Sequence, residues 1–186
     1  MQISSAPNVR SHWAPVTTQE SMEHRELLLD LYDREQVPLR RYLMFLGVRP
    51  EAGEEFVQEA FLRLHQHLQS GGERTNLRAW LYRVVHNLAV SEMQAARNRW
   101  TEAIEETGAA GQIVDRRDSP EEILQARQQL QTLESALKKL PEAQRRCLVL
   151  RSQGLKYREI AEVLGLSTST VGEHIQRGIS QIKESL

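Results

Sequence analysis

Hydrophobic residues in the first half of this chain recur every three or four positions, the period of an α-helix packed on one side. Three such stripes follow one another before residue 90. In chain order they comprise Leu39, Tyr42, Leu43 and Leu46, then Phe56, Val57, Ala60, Phe61, Leu64 and Leu68, then Leu77, Trp80, Leu81, Val84, Val85 and Leu88. Gly47 and the pair Gly71-Gly72 end the first two stripes, and Thr75 or Asn76 caps the third. With a further helix around residues 23–35, they predict a small helical bundle.

The second half continues the helical pattern. Ser119, Pro120 and Glu122 form a helix-start signal, with a cap, a proline at the first helical position and a capping box. The stripe that follows consists of Leu130, Leu133, Leu137 and Leu140, and Pro141 starts the next helix. Gly154 and Gly165 divide the remainder, which predicts four helices after residue 119. No strand-like alternation of useful length occurs, so the expected fold is all-α, with two small helical domains joined by a flexible linker.

Two segments lack this pattern and set the expected boundaries. Residues 101–122 carry seven acidic residues against two basic ones and few large apolar side chains, which indicates a flexible acidic linker. Residues 1–22 are polar and hold two prolines, so we expect a disordered tail. The two lobes should then span residues 23–100 and 123–186. Neither a signal peptide nor a membrane-spanning run of apolar residues is evident, and we expect a cytoplasmic protein without membrane insertion.

The strongest local signal is a helix-turn-helix between Tyr157 and Val171. Ala161 is small where two helices must cross closely, Gly165 permits a left-handed turn, and Ser167 is a good cap for the second helix. The alternative is an ordinary helical hairpin. In a helix-turn-helix, the helix from about residue 168 to 183 would enter the major groove of DNA. The candidate base and phosphate contacts are Ser169, Thr170, Glu173, His174 and Arg177.

A second polar face lies in the first lobe, on the helix that follows Asn76. At about 100° per residue, Arg83, His86 and Arg97 fall opposite the apolar stripe, and Asn87 lies at its flank. Arginine on phosphates and amide or aromatic groups on unstacked bases would suit single-stranded DNA. The alternatives are a merely solvated face and, for Trp80, a place in the core.

Bulk charge and reactive residues limit the function classes. The chain has 24 Lys and Arg against 25 Asp and Glu, a net charge of −1, which is unusual for a free-standing nucleic-acid binder. The single cysteine, Cys147, stands in an apolar run and is interpreted as a buried hydrophobe. His65 and His67 could pair on a metal, but residues two apart do not share a helix face, and we interpret both as surface histidines. We therefore expect no enzyme, no cofactor and no metal.

Together, these segments resemble the extracytoplasmic-function (ECF) branch of the bacterial sigma-factor family. Residues 54–64 look like the helix of the family's second region that grips the polymerase clamp, and residues 76–87 are similar to its promoter-melting and minus-ten segment. Residues 137–146 and the helix-turn-helix resemble its fourth region, which binds the minus-thirty-five element. The resemblance covers the chain from about Leu31 to Leu186.

The resemblance implies partners and residue roles. Core RNA polymerase, promoter DNA and an anti-sigma factor would be the partners, and the acidic linker would thread through the polymerase. The polymerase contacts would be Glu54, Gln58, Glu59 and Arg63. The opened minus-ten strand would be held by Asn76, Arg78, Arg83, His86 and Asn87, with Arg97 further along the basic face and with residues 70–76 as the wall of a pocket for a flipped base.

Three positions depart from the family pattern. Family members often have Trp at the position of His65, Asp at that of Ser91 and Lys at that of Gly172. The last change removes a phosphate contact and should weaken minus-thirty-five binding. A stand-alone helix-turn-helix regulator and a polymerase-binding protein of the anti-sigma type are the competing interpretations.

Overall fold

The computed structural model describes residues 18–99 and 135–185, with side chains over 22–97 and 135–185. Six helices lie in these ranges, and residues 135–139 are also helical; no strand occurs in the described part of the chain. The helices are α1 Thr18–Phe45, α2 Pro50–Gln69, α3 Leu77–Arg99, α4 Glu142–Ser152, α5 Tyr157–Leu164 and α6 Thr168–Ser185. The predicted all-α class is confirmed. The predicted linker, the helix start at Ser119 and the stripe positions Leu130 and Leu133 lie outside the described residues.

Helix α1 is one element where the sequence predicted two. It runs through Pro38, which has no N–H to give to the preceding turn. Burial explains the continuity, because Leu31, Leu39 and Tyr42 follow one another on the same side of the helix and all contribute to the core. The helix also begins at Thr18, so the last residues of the expected tail are helical.

Helices α1, α2 and α3 pack around the core of the first lobe. Helix α2 begins with Pro50 at its first position and ends at Gln69, with Ser70 as its C-cap, after which Gly71 turns the chain with φ +76°. The large side chains of this lobe that have no exposed surface are Leu39, Tyr42, Leu43, Leu64, Leu81, Tyr82 and Val85. At roughly 1.5–3 kcal/mol for each large apolar side chain removed from water, these residues supply most of the lobe's hydrophobic stabilisation.

Helices α4, α5 and α6 form the second lobe around Cys147, Leu150, Ile160 and Val171, all of which have no exposed surface. The interpretation of Cys147 as a buried hydrophobe is confirmed. Burial also raises the pKa of its thiol to about 11, so the residue stays protonated and unreactive at neutral pH.

The two lobes pack against each other, mainly through α3 and α5. Their buried side chains form one connected hydrophobic cluster. At the edge of this junction, the guanidinium of Arg145 lies 5.6 Å from the centroid of the Phe45 ring, within cation–π range. Arg78 of α3 donates a hydrogen bond to the backbone carbonyl of Gln153, between α4 and α5. The packing places part of α3 beneath the helix-turn-helix.

Candidate nucleic-acid interface

The turn between α5 and α6 has the geometry that the sequence predicted. Gly165 is left-handed, with φ 66° and ψ 33°, and the N–H of Leu166 donates to the carbonyl of Ala161 at 3.0 Å. Ser167 Oγ accepts from the N–H of Thr170 at 3.1 Å, which confirms the predicted cap. These local bonds fix the direction in which α6 leaves the turn.

The start of α5 holds a cap that sequence reasoning missed. Glu159 Oε2 accepts from the backbone N–H of Lys156 at 2.6 Å. The available signal was the position of a glutamate three residues after the helix entry, as in a capping box, although Lys156 is not a usual capping residue.

Helix α6 buries one side and presents the other to solvent. Val171, Ile175 and Gly178 are buried against the lobe. The five candidate contacts lie on the remaining surface, where Ser169, Glu173 and Arg177 are exposed and Thr170 and His174 are half-buried. Arg177 and Glu173 approach to 3.4 Å, an exposed pair one turn apart that costs little to break in favour of DNA.

On α3, the basic face is partly as predicted. Arg83, Asn87 and Arg97 are exposed, and at 1.5 Å per residue the two arginines stand about 21 Å apart along the helix. Asn76 precedes the helix, is exposed and has φ 53°, a conformation that asparagine tolerates better than most residues. These four residues leave their polar groups available to a ligand.

His86 does not lie on that exposed face, although the helical period placed it there. Its side chain is buried, 7% exposed, and its Nδ1 atom lies 2.9 Å from the hydroxyl of Tyr42. Burial lowers the pKa of His86 to about 4, with Arg146 of the second lobe lowering it further and Glu142 opposing. The imidazole is therefore neutral at pH 7, and its Nδ1 atom shares a hydrogen bond with the hydroxyl of Tyr42. It is buried because α3 packs against neighbours on more than one side.

Arg78 is engaged inside the protein. Its Nε atom lies 2.8 Å from Oε1 of Glu35, which is nearly buried, and its guanidinium stands 5.7 Å from the centroid of the Tyr82 ring. Burial by itself would lower the pKa of Arg78, but the hydrogen bond and the charge of Glu35 raise it. With the bond to Gln153, these contacts occupy much of the guanidinium that the resemblance assigned to DNA.

A polar cleft of about 290 Å³ lies between the lobes. The first lobe lines it with residues of the 70–76 loop and with His67, Trp80 and Arg83, and the second lobe with Arg158 and Glu162. Trp80 is half-buried and stacks on the imidazole of His67, with ring centroids 5.4 Å apart. His65 is exposed as expected, but His67 is half-buried. Sequence reasoning missed Arg158 and Glu162 because only tertiary packing brings α5 to this place.

Helix α2 carries the third candidate face. Glu54, Gln58 and Arg63 are exposed and Glu59 is half-buried. At about 100° per residue, Glu54 and Gln58 lie on one flank of the solvent-facing half of the helix, and Glu59 and Arg63 lie on the other flank. Arg63 Nε donates to Glu59 Oε1 at 2.7 Å, and Glu54 pairs with Arg40 of α1 at 3.1 Å. These three charged groups and one amide flank the outward half of α2, opposite its buried apolar side, an arrangement suited to a protein partner with complementary charge.

Over the part of the chain that the structure describes, no group of three or more His, Cys, Asp or Glu residues is placed to hold a metal ion. Within the same ranges, no helix combines the length and the apolar character required to cross a membrane.

All three faces lie in segments that match known protein families. The sequence family described as Sigma-70 region 2 matches residues 31–101, and the family described as Sigma-70, region 4 matches residues 130–182. The chain is 28% identical to the RNA polymerase sigma factor YlaC of Bacillus subtilis, over 89% of this chain and 95% of that protein. It is also 28% identical to the ECF RNA polymerase sigma factor SigW of Bacillus subtilis, over 86% and 87%.

Among solved structures, the fold matches the sigma factor RpoE in a complex with the anti-sigma factor NepR from Bartonella quintana. The TM-score is 0.67 at 20% identity, with 87% of this chain and 96% of that chain covered. This likeness concerns the fold.

Proposed function

Because the chain belongs to the sigma-70 family and to its extracytoplasmic-function branch, we propose that it binds core RNA polymerase and directs it to promoters through the three faces described above. It acts in transcription initiation as a specificity subunit: the polymerase makes the RNA, and this chain selects where synthesis starts. On this proposal the chain is not itself an enzyme and works inside the cell, where polymerase is.

The observation that carries the proposal is the surface of α6. Its outward side groups Ser169, Glu173 and Arg177 at the N-terminal part of a helix that leaves a capped, left-handed turn. That geometry lets a helix enter the major groove with its first turns at the base edges. We propose that Arg177 reads guanine and Glu173 reads cytosine, with Ser169, Thr170 and His174 contacting bases or phosphates of the minus-thirty-five element.

The exposed groups of α3 support contact with the opened minus-ten strand. Arg83 and Arg97 offer two phosphate contacts about 21 Å apart, and Asn76 and Asn87 offer amides to unpaired bases. The cleft beside them holds Trp80, whose half-buried ring is placed to meet a base. His86 has no part in this surface, and Arg78 joins it only by giving up contacts within the protein.

Helix α2 is the proposed polymerase contact, through Glu54, Gln58, Glu59 and Arg63. This division of labour accounts for the net charge of −1. Phosphate contacts dominate the affinity of free DNA-binding proteins, and α6 carries only Arg177 and Lys183 as cations. A chain held on DNA by polymerase does not need a strongly basic surface of its own.

We further propose an anti-sigma protein as a regulatory partner. One solved structure with this fold is a complex with the anti-sigma factor NepR, and another is CnrH in a complex with the cytosolic domain of CnrY. Co-purification with the product of a neighbouring gene, followed by loss of transcription when that protein is added, would test this partner.

The decisive experiment is transcription in vitro with purified core polymerase from the source organism and a pool of its promoter fragments, with and without this chain. We expect new, discrete start sites that share two spaced sequence elements. Arg177→Ala should weaken selection of the upstream element by about 1–3 kcal/mol and relax it at one base pair. Lys183→Ala, which removes the other cation of α6, should change selection little because Lys183 lies in the last turn.

Other outcomes point elsewhere. Binding of polymerase without new start sites would favour a protein of the anti-sigma type. Specific binding of duplex DNA by a chain that polymerase ignores would replace the proposal with a stand-alone regulator.

A further inference from the structure

The loop between α2 and α3, residues 70–76, forms one wall of the cleft and is named the recognition loop below. Gly71 and Asn76 have left-handed φ values of 76° and 53°, so the chain turns sharply at both ends. The N–H of Gly72 donates to the carbonyl of His67 at 2.8 Å, which closes the first turn. Between Gly72 and Asn76 the loop makes few backbone hydrogen bonds, so contacts of side chains must fix its shape.

His67 provides the central support. Its Nε2 atom lies 3.1 Å from the carbonyl oxygen of Glu73, and since a carbonyl only accepts, Nε2 carries the proton. The other contact of the ring is the indole of Trp80, nearly parallel at an interplanar angle of 27°. The imidazole thus joins the recognition loop to the helix that bears the polar face.

Gly72 makes room for that ring. A Cβ atom at this position would lie 2.3 Å from Cε1 of His67, far inside van der Waals contact. Gly72 is not left-handed, so the space taken by the imidazole, and not the backbone conformation, requires glycine here. His67 and Gly72 therefore form a matched pair.

Side chains near the second end of the loop also make hydrogen bonds. Arg74 Nη2 lies 2.5 Å from Nε2 of the buried His24, and Thr75 Oγ1 donates to Glu73 Oε1 at 2.6 Å. With both sides held, the exposed groups that remain on the cleft are Asn76 and Arg83, next to the ring of Trp80.

We propose that His67 is a positioning residue that holds the recognition loop in the one shape able to discriminate a single unstacked base of the minus-ten strand. This inference rests on the proposed function. His67 touches no DNA itself; it acts through the carbonyl of Glu73, the backbone at Gly72 and the ring of Trp80. Preorganisation of this kind raises affinity for the matching base because the loop does not have to be ordered when the strand binds. A loop held in one shape also discriminates, because it cannot adapt to a different base.

The test uses holoenzyme assembled from core polymerase and the full chain, with labelled single strands from the minus-ten region of the promoters mapped above. Each position of the strand is replaced in turn by the other three bases. Loss of His67 in His67→Ala should reduce discrimination at one position about tenfold, within the range of one base contact. Preferences at the other positions should change less than about twofold. The matched control is His65→Ala, which removes an exposed imidazole from the same helix.

A double-mutant cycle sharpens the test. Gly72→Ala alone should displace the imidazole and reproduce the loss at the same position. In the His67→Ala background the added methyl group has space, so Gly72→Ala should cost less than about twofold more. His67→Gln keeps a donor within reach of Glu73 and should restore part of the discrimination, and binding of the minus-thirty-five duplex should be unchanged throughout.

The results distinguish failure of the proposed function from failure of the role proposed for His67. Wild-type holoenzyme without any base preference on these strands would remove the proposed function, and this inference with it. If the wild type discriminates but His67→Ala equals His65→Ala, the proposed function stands and the role of His67 is refuted. An equal loss at all positions, in step with a lower melting temperature, would reduce His67 to a residue of structural stability and also overturn the inference.

Discussion

The buried pair of Tyr42 and His86 predicts a specific dependence of stability on pH. In the folded protein the pKa of His86 is lowered to about 4 by burial, and next by the charge of Arg146, against an ordinary value of 6.5. The unfolded chain therefore binds a proton between pH 6.5 and 4 that the folded chain does not. Stability contributed by the neutral imidazole is complete above pH 6.5 and is lost as the pH falls through that window.

The size of the effect follows from the two pKa values. Within the window the free energy of unfolding falls by about 1.4 kcal/mol per pH unit from this group. Between pH 7 and pH 5, the difference in proton binding amounts to about 2 kcal/mol, a large fraction of the stability of a small protein. On protonation both ring nitrogens become donors, so Nδ1 can then only donate to the hydroxyl oxygen of Tyr42.

Urea unfolding followed by circular dichroism at pH 7 and pH 5 measures this contribution. Because other groups titrate as well, the relevant quantity is the difference between variants. The wild type and the control His65→Gln should each lose about 2 kcal/mol more than His86→Gln, whose amide can accept from Tyr42 but does not titrate. If His86→Gln loses as much stability as the wild type, His86 is not the buried neutral group described above.

Three further predictions concern single positions. Gly165→Ala should destabilise the second lobe by about 1 kcal/mol in urea unfolding, because the backbone at this residue is left-handed and alanine adopts that conformation at a cost. If no stability is lost, the turn can change its conformation without cost. Gly172→Lys should increase the affinity of the holoenzyme for minus-thirty-five duplex and steepen the slope of log affinity against log salt concentration by about one unit. The side chain fits because a Cβ atom at this position meets only the Tyr157 ring, at 3.8 Å. An unchanged slope would contradict this prediction. Arg78→Met should lower the free energy of unfolding by about 3–5 kcal/mol, because it leaves Glu35 buried and unpaired. Adding Glu35→Leu to the same chain should recover most of that loss. If the two substitutions destabilise the protein additively, the two residues do not interact as described.

Local signals in the sequence predicted local structure well. The cap at Ser167 and the left-handed turn at Gly165 depend on residues within a few positions of each other, and both have the expected geometry. The stripe of α2 also matched its buried side, because a helix with one packed face follows a simple period.

Predictions failed where a helix has more than one neighbour. Helix α3 contacts α1, α2 and α5, so its buried surface is wider than one stripe and includes His86. The bond from Arg78 to Gln153 and the approach of Arg158 to the cleft join residues about 75 positions apart, and no local pattern encodes such contacts. The prediction of two helices before Gly47 was wrong for a similar reason, since burial on both sides of Pro38 keeps α1 continuous.

The packing of α5 over α3 has a thermodynamic consequence for promoter binding. The cleft that holds Asn76 and Arg83 is bordered by Arg158 and Glu162, so a DNA strand bound there as proposed would compete with the second lobe for the same space. If only a fraction of molecules is open at any time, the apparent dissociation constant for DNA is the intrinsic one divided by that fraction. A closed form favoured by about 2.7 kcal/mol would weaken binding about a hundredfold, and a partner that separates the lobes would restore the whole factor.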